Sequence, residues 1–169
     1  MNRTDVSTVG LNENASIAKS FIYIPYNWFN NKDYTESLDM FTTTFNNVTI
    51  SPVSRYRDQS NLGGASGKYG YGVFIYDVTD LLNKSGENRF VLNKVNKTPS
   101  FYPSVLVYMY NTTDSDILKE IYINHGADLL TDHSSSLKNS ANRVAKVDST
   151  LNVDSKFAFN ATLYVFASN

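Results

Sequence analysis

The side chains that could bind a metal ion are concentrated after residue 120. The chain has two histidines, His125 and His133, with Asp128 and Asp132 between them. Such side chains can hold zinc, but their spacing is not a recognised ligand pattern, and loop aspartates and histidines usually form turn hydrogen bonds. The sequence therefore predicts no transition-metal site. A calcium ion at Asp128 or Asp132 stays open, because calcium prefers oxygen ligands in loops.

Carboxylates and serines do not combine into a catalytic site in this sequence. A glycosidase needs two carboxylates on either side of a cleft, and the candidates are Asp77, Asp80 and Glu120. Asp77 is better explained as a backbone cap, and Glu120 as part of an exposed strand face. A serine nucleophile needs a neighbouring base, and neither histidine lies near a nucleophile-elbow motif. We therefore expect no catalytic residues, no cofactor and no enzymatic activity.

A group of aromatic residues is the best candidate for ligand binding. The group lies in an asparagine-rich segment, interpreted as a loop over residues 26–37, and comprises Tyr26, Trp28, Phe29 and Tyr34. Rings in such a loop could stack on a sugar while amide side chains bond its hydroxyls. The alternative is that they cover the end of the fold, because large aromatic side chains are mostly buried. If the loop binds a sugar, we expect Trp28 to stack on it, with Tyr26 and Tyr34 beside it.

Asparagine-linked glycosylation is the one modification that the sequence suggests. Sequons of the form Asn-x-Ser/Thr are more frequent than the composition produces by chance, which is a mild indication of a glycosylated surface. The seven sequons begin at Asn2, Asn14, Asn47, Asn83, Asn96, Asn111 and Asn160. Asn96 and Asn111 flank an apolar segment and would be natural loop acceptors.

The charge of the chain argues against two classes of partner. Among 169 residues, 15 basic and 16 acidic side chains are spread along the sequence, for a net charge of -1. This balance provides no basic stripe for nucleic acid and no cationic face for a membrane surface. No apolar run approaches the roughly 18 residues of a membrane span. The first residues lack a signal-peptide pattern, so an export signal would lie on a segment outside this sequence.

The elements that would position these residues are short β-strands. Tyrosine and threonine favour strands, and asparagine and serine favour turns. Strands are predicted at residues 17–25, 38–45, 48–50, 69–78, 88–92, 104–110, 143–150 and 157–167, and residues 118–124 fit a strand or a helix. This pattern predicts one all-β domain, a jelly-roll-like antiparallel β-sandwich over residues 17–169 with at most short helical turns. Residues 1–16 are expected to be a flexible lead-in or an edge strand.

Three of these strands are predicted in more detail. Pro25 is expected to end the first strand, because proline cannot donate to a ladder. Residues 104–110 (SVLVYMY) are too apolar for a half-exposed strand and are predicted to be central and buried on both faces. Gly70 and Gly72 indicate a bulge or a close approach of two backbones. Residues 61–67, with three glycines, are predicted to be a loop.

The segment Tyr76–Leu92 (YDVTDLLNKSGENRFVL) has the most specific pattern. Asp77 or Thr79 can cap a single helical turn that places Leu81 and Leu82 in the core. The segment resembles the Asp-Val-Thr and Gly-x-Asn signature of galactose-binding-like jelly rolls, which occur as carbohydrate-binding modules and in β-galactosidase-type enzymes. The resemblance implies a fold more than a function, because many such jelly rolls bind nothing known.

Five stretches carry a second resemblance, which covers nearly the whole chain. They are AKSFIYIPYN from Ala18, FNNVTI from Phe45, YDVTDLLN from Tyr76, VLVYMY…IYINHGADLL over 105–130, and ATLYVFASN from Ala161. In order and spacing they resemble an uncharacterised domain family of adhesin-like surface proteins of methanogenic archaea. That family usually has glutamate at the position of His125 and often glycine at the position of Asn47, and neither departure affects the fold. The resemblance implies export and a location at the cell surface or cell wall, and it supplies no catalytic residues.

These observations lead to one preferred function and two alternatives. We expect an extracellular adhesion module that recognises a glycan or a surface protein of a neighbouring cell, next to further domains of the same polypeptide. The alternatives are a structural spacer without a ligand and an accessory carbohydrate-binding domain of a glycan-processing enzyme. Many tandem copies in the full-length protein would favour the spacer, and an adjoining catalytic domain would favour the accessory domain. No nucleic-acid partner and no direct membrane insertion are expected.

Overall fold

The computed structural model describes residues 2–30, 41–59, 69–94, 99–113 and 119–127, together with residues 156, 160 and 162–165. Most of these residues belong to strands. The strands are β1 (Asn2–Gly10), β2 (Ser16–Asn30), β3 (Phe41–Phe45), β4 (Val48–Ile50), β5 (Ser54–Gln59), β6 (Tyr69–Asp77), β7 (Ser85–Lys94), β8 (Ser100–Phe101) and β9 (Val105–Asn111). Within the described residues, one turn of 3-10 helix over Thr79–Leu81 is the only helical element.

The strands form two antiparallel sheets that face each other. Sheet A has the order β1–β7–β3–β4, and sheet B has the order β5–β6–β2, with β8 and β9 both paired to β2 on its other side. The chain crosses between the sheets after β1, β2, β4, β6 and β7. This winding confirms the predicted jelly-roll-like β-sandwich. Residues 2–10 form the edge strand of sheet A.

The core lies between the sheets and is largely aromatic. Its members are Ile22, Ile24, Tyr26, Phe29, Phe74 and Tyr76 of sheet B, and Phe41, Phe45, Phe90 and Leu92 of sheet A. The ring centroids of Phe41 and Phe74 are 5.3 Å apart, and those of Tyr76 and Phe90 are 6.0 Å apart. Each such pair contributes about 0.5–1.5 kcal/mol beyond the area that it buries. These contacts hold the two sheets together.

Strand β2 continues past Pro25, where the sequence predicted its end. Residues 26–30 are therefore strand and not the predicted loop. The Pro25 carbonyl accepts a hydrogen bond from the Tyr102 N–H at 2.9 Å. In an antiparallel ladder the N and O atoms of one residue point to the same side, so the missing N–H of Pro25 faces residue 102, between β8 and β9. Proline is tolerated there because the neighbouring ladder is interrupted at that point.

Strand β9 is less buried than predicted. Its residues 105–109 are half-buried and Tyr110 is exposed, whereas the sequence predicted burial on both faces. Within the described residues β9 pairs with β2 alone, so it lies at a sheet edge and not in the centre.

The alternating segment 157–167 was predicted to be the last strand, and the part of it that is described is not a strand. Residues 162–165 have no strand structure, and Leu163, Tyr164 and Val165 are largely exposed. Alternation decides which face a side chain would take, but a strand also needs a hydrogen-bonded neighbour. Residues 119–127 also form neither strand nor helix. The predicted strand at 143–150 and the predicted loop at 61–67 lie outside the described residues.

The 3-10 turn joins β6 to β7 as predicted, and side chains fix it in place. The Asp77 carboxylate accepts hydrogen bonds from the Thr79 N–H at 3.0 Å and from the Thr79 hydroxyl at 2.5 Å. Thr79 Oγ1 accepts a hydrogen bond from the Ser20 N–H at 3.0 Å, which ties the turn to β2. Leu81 and Leu82 pack against the core, but they are half-buried and not fully buried.

A buried asparagine organises the connections at this end of the sandwich. Asn88 Oδ1 accepts hydrogen bonds from the Asn83 N–H at 2.7 Å and from Asn46 Nδ2 at 2.9 Å. Asn88 Nδ2 donates to the Asn83 carbonyl at 2.8 Å. Asn46 also donates to the Leu81 carbonyl and accepts from the Arg89 N–H, both at 2.8 Å. The Asn88 network therefore joins the β3–β4 turn, the segment after the helical turn, and β7.

Positive φ angles occur at three positions around this network. Asn46 and Asn47 have φ angles of 48° and 67° and form the two-residue β3–β4 turn, a conformation that asparagine tolerates. Gly86 has a φ angle of 146°, and a Cβ atom there would lie 2.8 Å from Asn83 Nδ2. Gly86 is thus required by its backbone angle and by the space that the Asn83 amide occupies.

Two charged residues of β1, at the edge of sheet A, link the two sheets by hydrogen bonds. Arg3 Nε donates to Asp5 at 2.9 Å, and Arg3 Nη1 donates to the Phe101 carbonyl at 3.0 Å. Asp5 also accepts from the Ser104 N–H at 3.0 Å. Burial acts to raise the pKa of Asp5, but hydrogen bonds from Ser104 and Arg3 outweigh it and hold the pKa below its usual value. Charged side chains at an edge strand also discourage pairing with another chain.

We expect Asn88→Ala to destabilise the domain by about 2–4 kcal/mol, because the N–H and C=O of Asn83 and Nδ2 of Asn46 would lose the buried Asn88 amide as a partner. Urea denaturation measures the free energy of unfolding. Asn93→Ala, the same substitution at a half-buried position of the same strand, should cost less than about 1 kcal/mol. Equal losses for the two variants would contradict the role of the Asn88 network.

Candidate binding surface

Strand β2 has a bulge near its end, and Trp28 lies in it. The register with β6 shifts between Tyr26 and Phe29, so that residues 27 and 28 together oppose residue 71. Regular alternation would place Tyr26 and Phe29 on opposite faces, because they are three residues apart. The extra residue allows both rings to enter the core, where their centroids are 5.3 Å apart.

The bulge moves Trp28 out of the core. In a regular strand Trp28 would share the face of Tyr26, but its exposed fraction is 45% and its φ angle is 59°. This left-handed conformation costs an L-residue such as tryptophan roughly 1–2 kcal/mol. Tyr26 and Phe29, which flank the bulge, are both buried. Trp28 therefore presents an exposed ring on a backbone that is anchored on both sides.

Two glycines of β6 make room for this arrangement. A Cβ atom on Gly72 would lie 2.0 Å from the Tyr56 carbonyl oxygen and 2.6 Å from the Tyr26 hydroxyl. A Cβ atom on Gly70 would lie 2.2 Å from Arg57 Nε. The Tyr26 ring crosses β6 at this point, and its hydroxyl donates to the Tyr56 carbonyl at 3.4 Å. The bulge and the close approach predicted from the two glycines are both present, with the extra residue on β2.

Polar groups lie in sequence and in space next to Trp28. Asn27 Nδ2 donates to the Tyr102 hydroxyl at 2.7 Å, and the Tyr102 N–H donates to the Pro25 carbonyl. Residue 102 is therefore held beside the bulge by its backbone and by its side chain. We call Trp28, Asn27 and Tyr102 the Trp28 surface. It combines an exposed indole with an amide and a phenol hydroxyl.

The structure describes two of the three residues predicted to bind a ligand, and it exposes only one of them. Trp28 is half-exposed, as a stacking residue must be. Tyr26 has an exposed fraction of 2%, and its ring centroid is 4.8 Å from that of Phe74 in the core. Tyr26 therefore cannot stack on a ligand, because the strand continues where a loop was predicted and alternation turns its side chain inward. Tyr34 lies outside the described residues.

The predicted glycosylation sites can also be located. The sequon asparagines among the described residues are all exposed: Asn2, Asn14, Asn47, Asn83, Asn111 and Asn160. Asn96 lies outside the described residues. Exposure is necessary for modification, and it does not by itself select among the six.

Comparison with known proteins places the chain in a family. The model of DUF3344, described as a protein of unknown function, matches residues 2–169. The chain belongs to the DUF3344 family. No curated protein and no solved structure gives a significant match. Among its described residues, this DUF3344 domain has no helix that is long and apolar enough to span a membrane.

The DUF3344 domain has an aromatic cluster on the outer face of sheet B that the sequence did not predict. The ring centroid of His125 lies 5.7 Å from that of Phe21, 5.6 Å from that of Tyr23 and 6.3 Å from that of Tyr56. Tyr23 Oη and His125 Nδ1 are 2.9 Å apart. These partners are 102 residues apart in the sequence. In the sequence, the only sign of this cluster was that Phe21 and Tyr23 alternate with the core residues of β2.

Burial sets the protonation of this pair. Burial, together with Tyr56, raises the pKa of Tyr23 to about 12, so the phenol keeps its proton at neutral pH. Burial lowers the pKa of His125, so its imidazole is neutral at pH 7, and the tautomer of the ring sets whether Nδ1 accepts or donates the hydrogen bond with Tyr23. His125 thus covers sheet B as an uncharged side chain.

The structure does not assemble a metal site from the described residues. No group of three histidines, cysteines or acidic residues in the described ranges could hold a metal ion. Asp128, Asp132 and His133, which were considered with His125, lie outside the described residues. His125 is instead engaged with Tyr23.

Two of the three carboxylates considered for catalysis, Asp77 and Glu120, have structural partners. Asp77, besides its bonds to Thr79, forms a salt bridge with Lys19 at 2.9 Å. Burial acts to raise the pKa of Asp77, but the hydrogen bonds from Thr79 and Lys19 outweigh it and lower that pKa. Glu120 accepts a hydrogen bond from the Tyr122 hydroxyl at 2.9 Å on the surface.

We expect the stability of the domain to fall as the pH is lowered from 7 to 5. The pKa of His125 is below its ordinary value of 6.5 in the folded protein, so below pH 6.5 the unfolded chain binds a proton that the folded chain excludes. The free energy of unfolding is therefore highest above pH 6.5. As the pH is lowered, it falls until the pH reaches the lowered pKa of His125. Urea midpoints measured between pH 5 and pH 7 test this.

A variant without the imidazole isolates the contribution of this residue. His125→Gln should flatten the pH dependence. If the urea midpoint of His125→Gln falls with pH as steeply as that of the original protein, the pH dependence does not come from His125. A separate decline below about pH 4 is expected in all variants, because Asp5 and Asp77 have lowered pKa values.

Proposed function

We propose that this DUF3344 domain is an extracellular binding module of a cell-surface protein and that it recognises a glycan through the Trp28 surface. The observation that carries the proposal is the residue found in the bulge. A left-handed position favours glycine or asparagine. Tryptophan at this position, half-exposed with a φ angle of 59°, presents the largest aromatic side chain to solvent.

The chemistry of the Trp28 surface suits a sugar. An indole ring offers a flat apolar face to the C–H groups on one side of a pyranose. The hydroxyl of Tyr102, which accepts a hydrogen bond from Asn27 Nδ2 at 2.7 Å, keeps its own proton to donate to a sugar hydroxyl. Anchoring by the buried Tyr26 and Phe29 reduces the entropy lost on binding.

The resemblance to adhesin-like surface proteins of methanogenic archaea supports the location at the cell surface and a role in cell adhesion. The exposed sequon asparagines are consistent with an exported protein. A module without a ligand, which only spaces other domains, is the alternative that the binding experiment must exclude.

Trp28 is the only tryptophan of the chain, so its fluorescence reports directly on this surface. An array of immobilised oligosaccharides identifies a ligand, which is then titrated in solution. Stacking should shift the emission to shorter wavelength and reduce quenching by iodide, because the ring leaves water. A folded domain that binds no oligosaccharide of the array would favour the spacer. Binding without any change in emission would place the site elsewhere.

We expect Trp28→Gly to abolish glycan binding while the domain stays folded. The half-buried ring contributes part of the stability, so the loss should be about 1–3 kcal/mol, below the 3–5 kcal/mol of a core aromatic. Trp28→Ala should be about 1 kcal/mol less stable than Trp28→Gly, because alanine is strained at a positive φ angle. Isothermal titration calorimetry and urea denaturation measure the two quantities.

Tyr110→Ala is the matched control, because Tyr110 is an exposed aromatic residue near the opposite end of β2, paired with Ile17. It should retain full affinity. Retained binding in Trp28→Gly, or an equal loss in Tyr110→Ala, would contradict the role of Trp28.

A further inference from the structure

Four sequon asparagines that are scattered along the sequence lie at one end of the sandwich. Asn14 is in the β1–β2 turn and Asn47 is in the β3–β4 turn. Asn83 lies between the 3-10 turn and β7, and Asn111 is the last residue of β9. We call the end that contains these four residues the turn end.

Hydrogen bonds and strand register bring these segments together. The Leu11 N–H donates to the Lys84 carbonyl at 2.9 Å, which joins the β1–β2 turn to the segment of Asn83. Asn111 is paired with Ser16, the first residue of β2. The Asn88 network joins the β3–β4 turn to the same segment.

The amide groups at the turn end are open to an enzyme. All four side chains are exposed. Asn83 Oδ1 accepts a hydrogen bond from the N–H of Ser85, the third residue of its own sequon, at 3.2 Å. This bond uses the oxygen, and the reactive Nδ2 lies beside Gly86, where a Cβ atom would be 2.8 Å away. Asn47 is at the tip of a two-residue turn, with a φ angle of 67°.

The Trp28 surface lies at the opposite end. Trp28 follows Ser16 by 12 residues along β2, which corresponds to about 40 Å. Among the described sequons placed on strands and turns, only Asn2 is near the Trp28 end, where it pairs with Asn93 inside the β1–β7 ladder. The sequons therefore divide unevenly between the two ends.

We propose that the turn end carries N-linked glycans on its three sequons outside strands, Asn14, Asn47 and Asn83, and that Asn2 and Asn111 stay unmodified. The reaction joins Asn Nδ2 to the anomeric carbon of a lipid diphosphate-linked oligosaccharide. A C–N bond forms, the C–O bond to the diphosphate breaks, the lipid diphosphate leaves, and the amide loses one proton. Sequons accept sugar in surface loops and turns, whereas Asn2 and Asn111 are held in paired strands.

This inference rests on the proposed surface location, but it does not depend on the Trp28 surface. Glycans at the turn end would cover that end of the sandwich and leave the indole uncovered by sugar. Loss of glycosylation should therefore leave sugar binding unchanged, so the two proposals can fail separately.

Glycopeptide mass spectrometry of the protein isolated from its native cells tests the inference. We expect sugar at Asn14, Asn47 and Asn83, and none at Asn2 or Asn111. Asn12 is an internal control, because it is exposed in the same turn as Asn14 and has no Ser or Thr two residues later. Unmodified Asn14, Asn47 and Asn83, or sugar on Asn2 and Asn111 at the occupancy of those three sites, would overturn the proposal.

Discussion

The structure depends on the requirement that Tyr26 and Phe29 both enter the core from β2. Their spacing of three residues is incompatible with regular alternation, and the bulge resolves the conflict. The same strand pairs with β6, β8 and β9 and contributes Ile22 and Ile24 to the core. Gly72 follows from this requirement, because a Cβ atom there would lie 2.6 Å from the Tyr26 hydroxyl and 2.0 Å from the Tyr56 carbonyl oxygen.

The two ends of the sandwich are built by different interactions. At the Trp28 end, aromatic packing and a backbone bulge fix the geometry. At the turn end, crossing connections would leave buried backbone groups without partners, and the Asn88 network satisfies them. A buried amide can bond several segments at once, which apolar packing cannot do. The turn end is therefore fixed by hydrogen bonds and can carry polar, exposed turns at no loss to the core.

The fold class could be predicted from the sequence because strand and turn residues alternate along most of the chain. The position of each strand in its sheet, and therefore its burial, could not be predicted, because it depends on pairing between distant segments. β9 is apolar enough for a central strand, yet within the described residues it has one neighbour. β5 (SRYRDQ) was not predicted, because only Tyr56 in it is a large apolar side chain; it is a strand because β6 supplies its partner. For the candidate site, the sequence identified Trp28, but Tyr102, which bonds the neighbouring Asn27, is brought to the bulge only by folding.

The choice of tryptophan at position 28 is separate from the need for a bulge. The core requires an extra residue between Tyr26 and Phe29, and glycine or asparagine would adopt the left-handed conformation with little strain. The indole is 45% exposed, so it keeps only part of the stabilisation of a buried aromatic side chain. The left-handed conformation offsets roughly 1–2 kcal/mol of that part. The need for a bulge therefore explains why a residue is extruded from β2 at this point, and the packing of the core does not by itself select tryptophan for it.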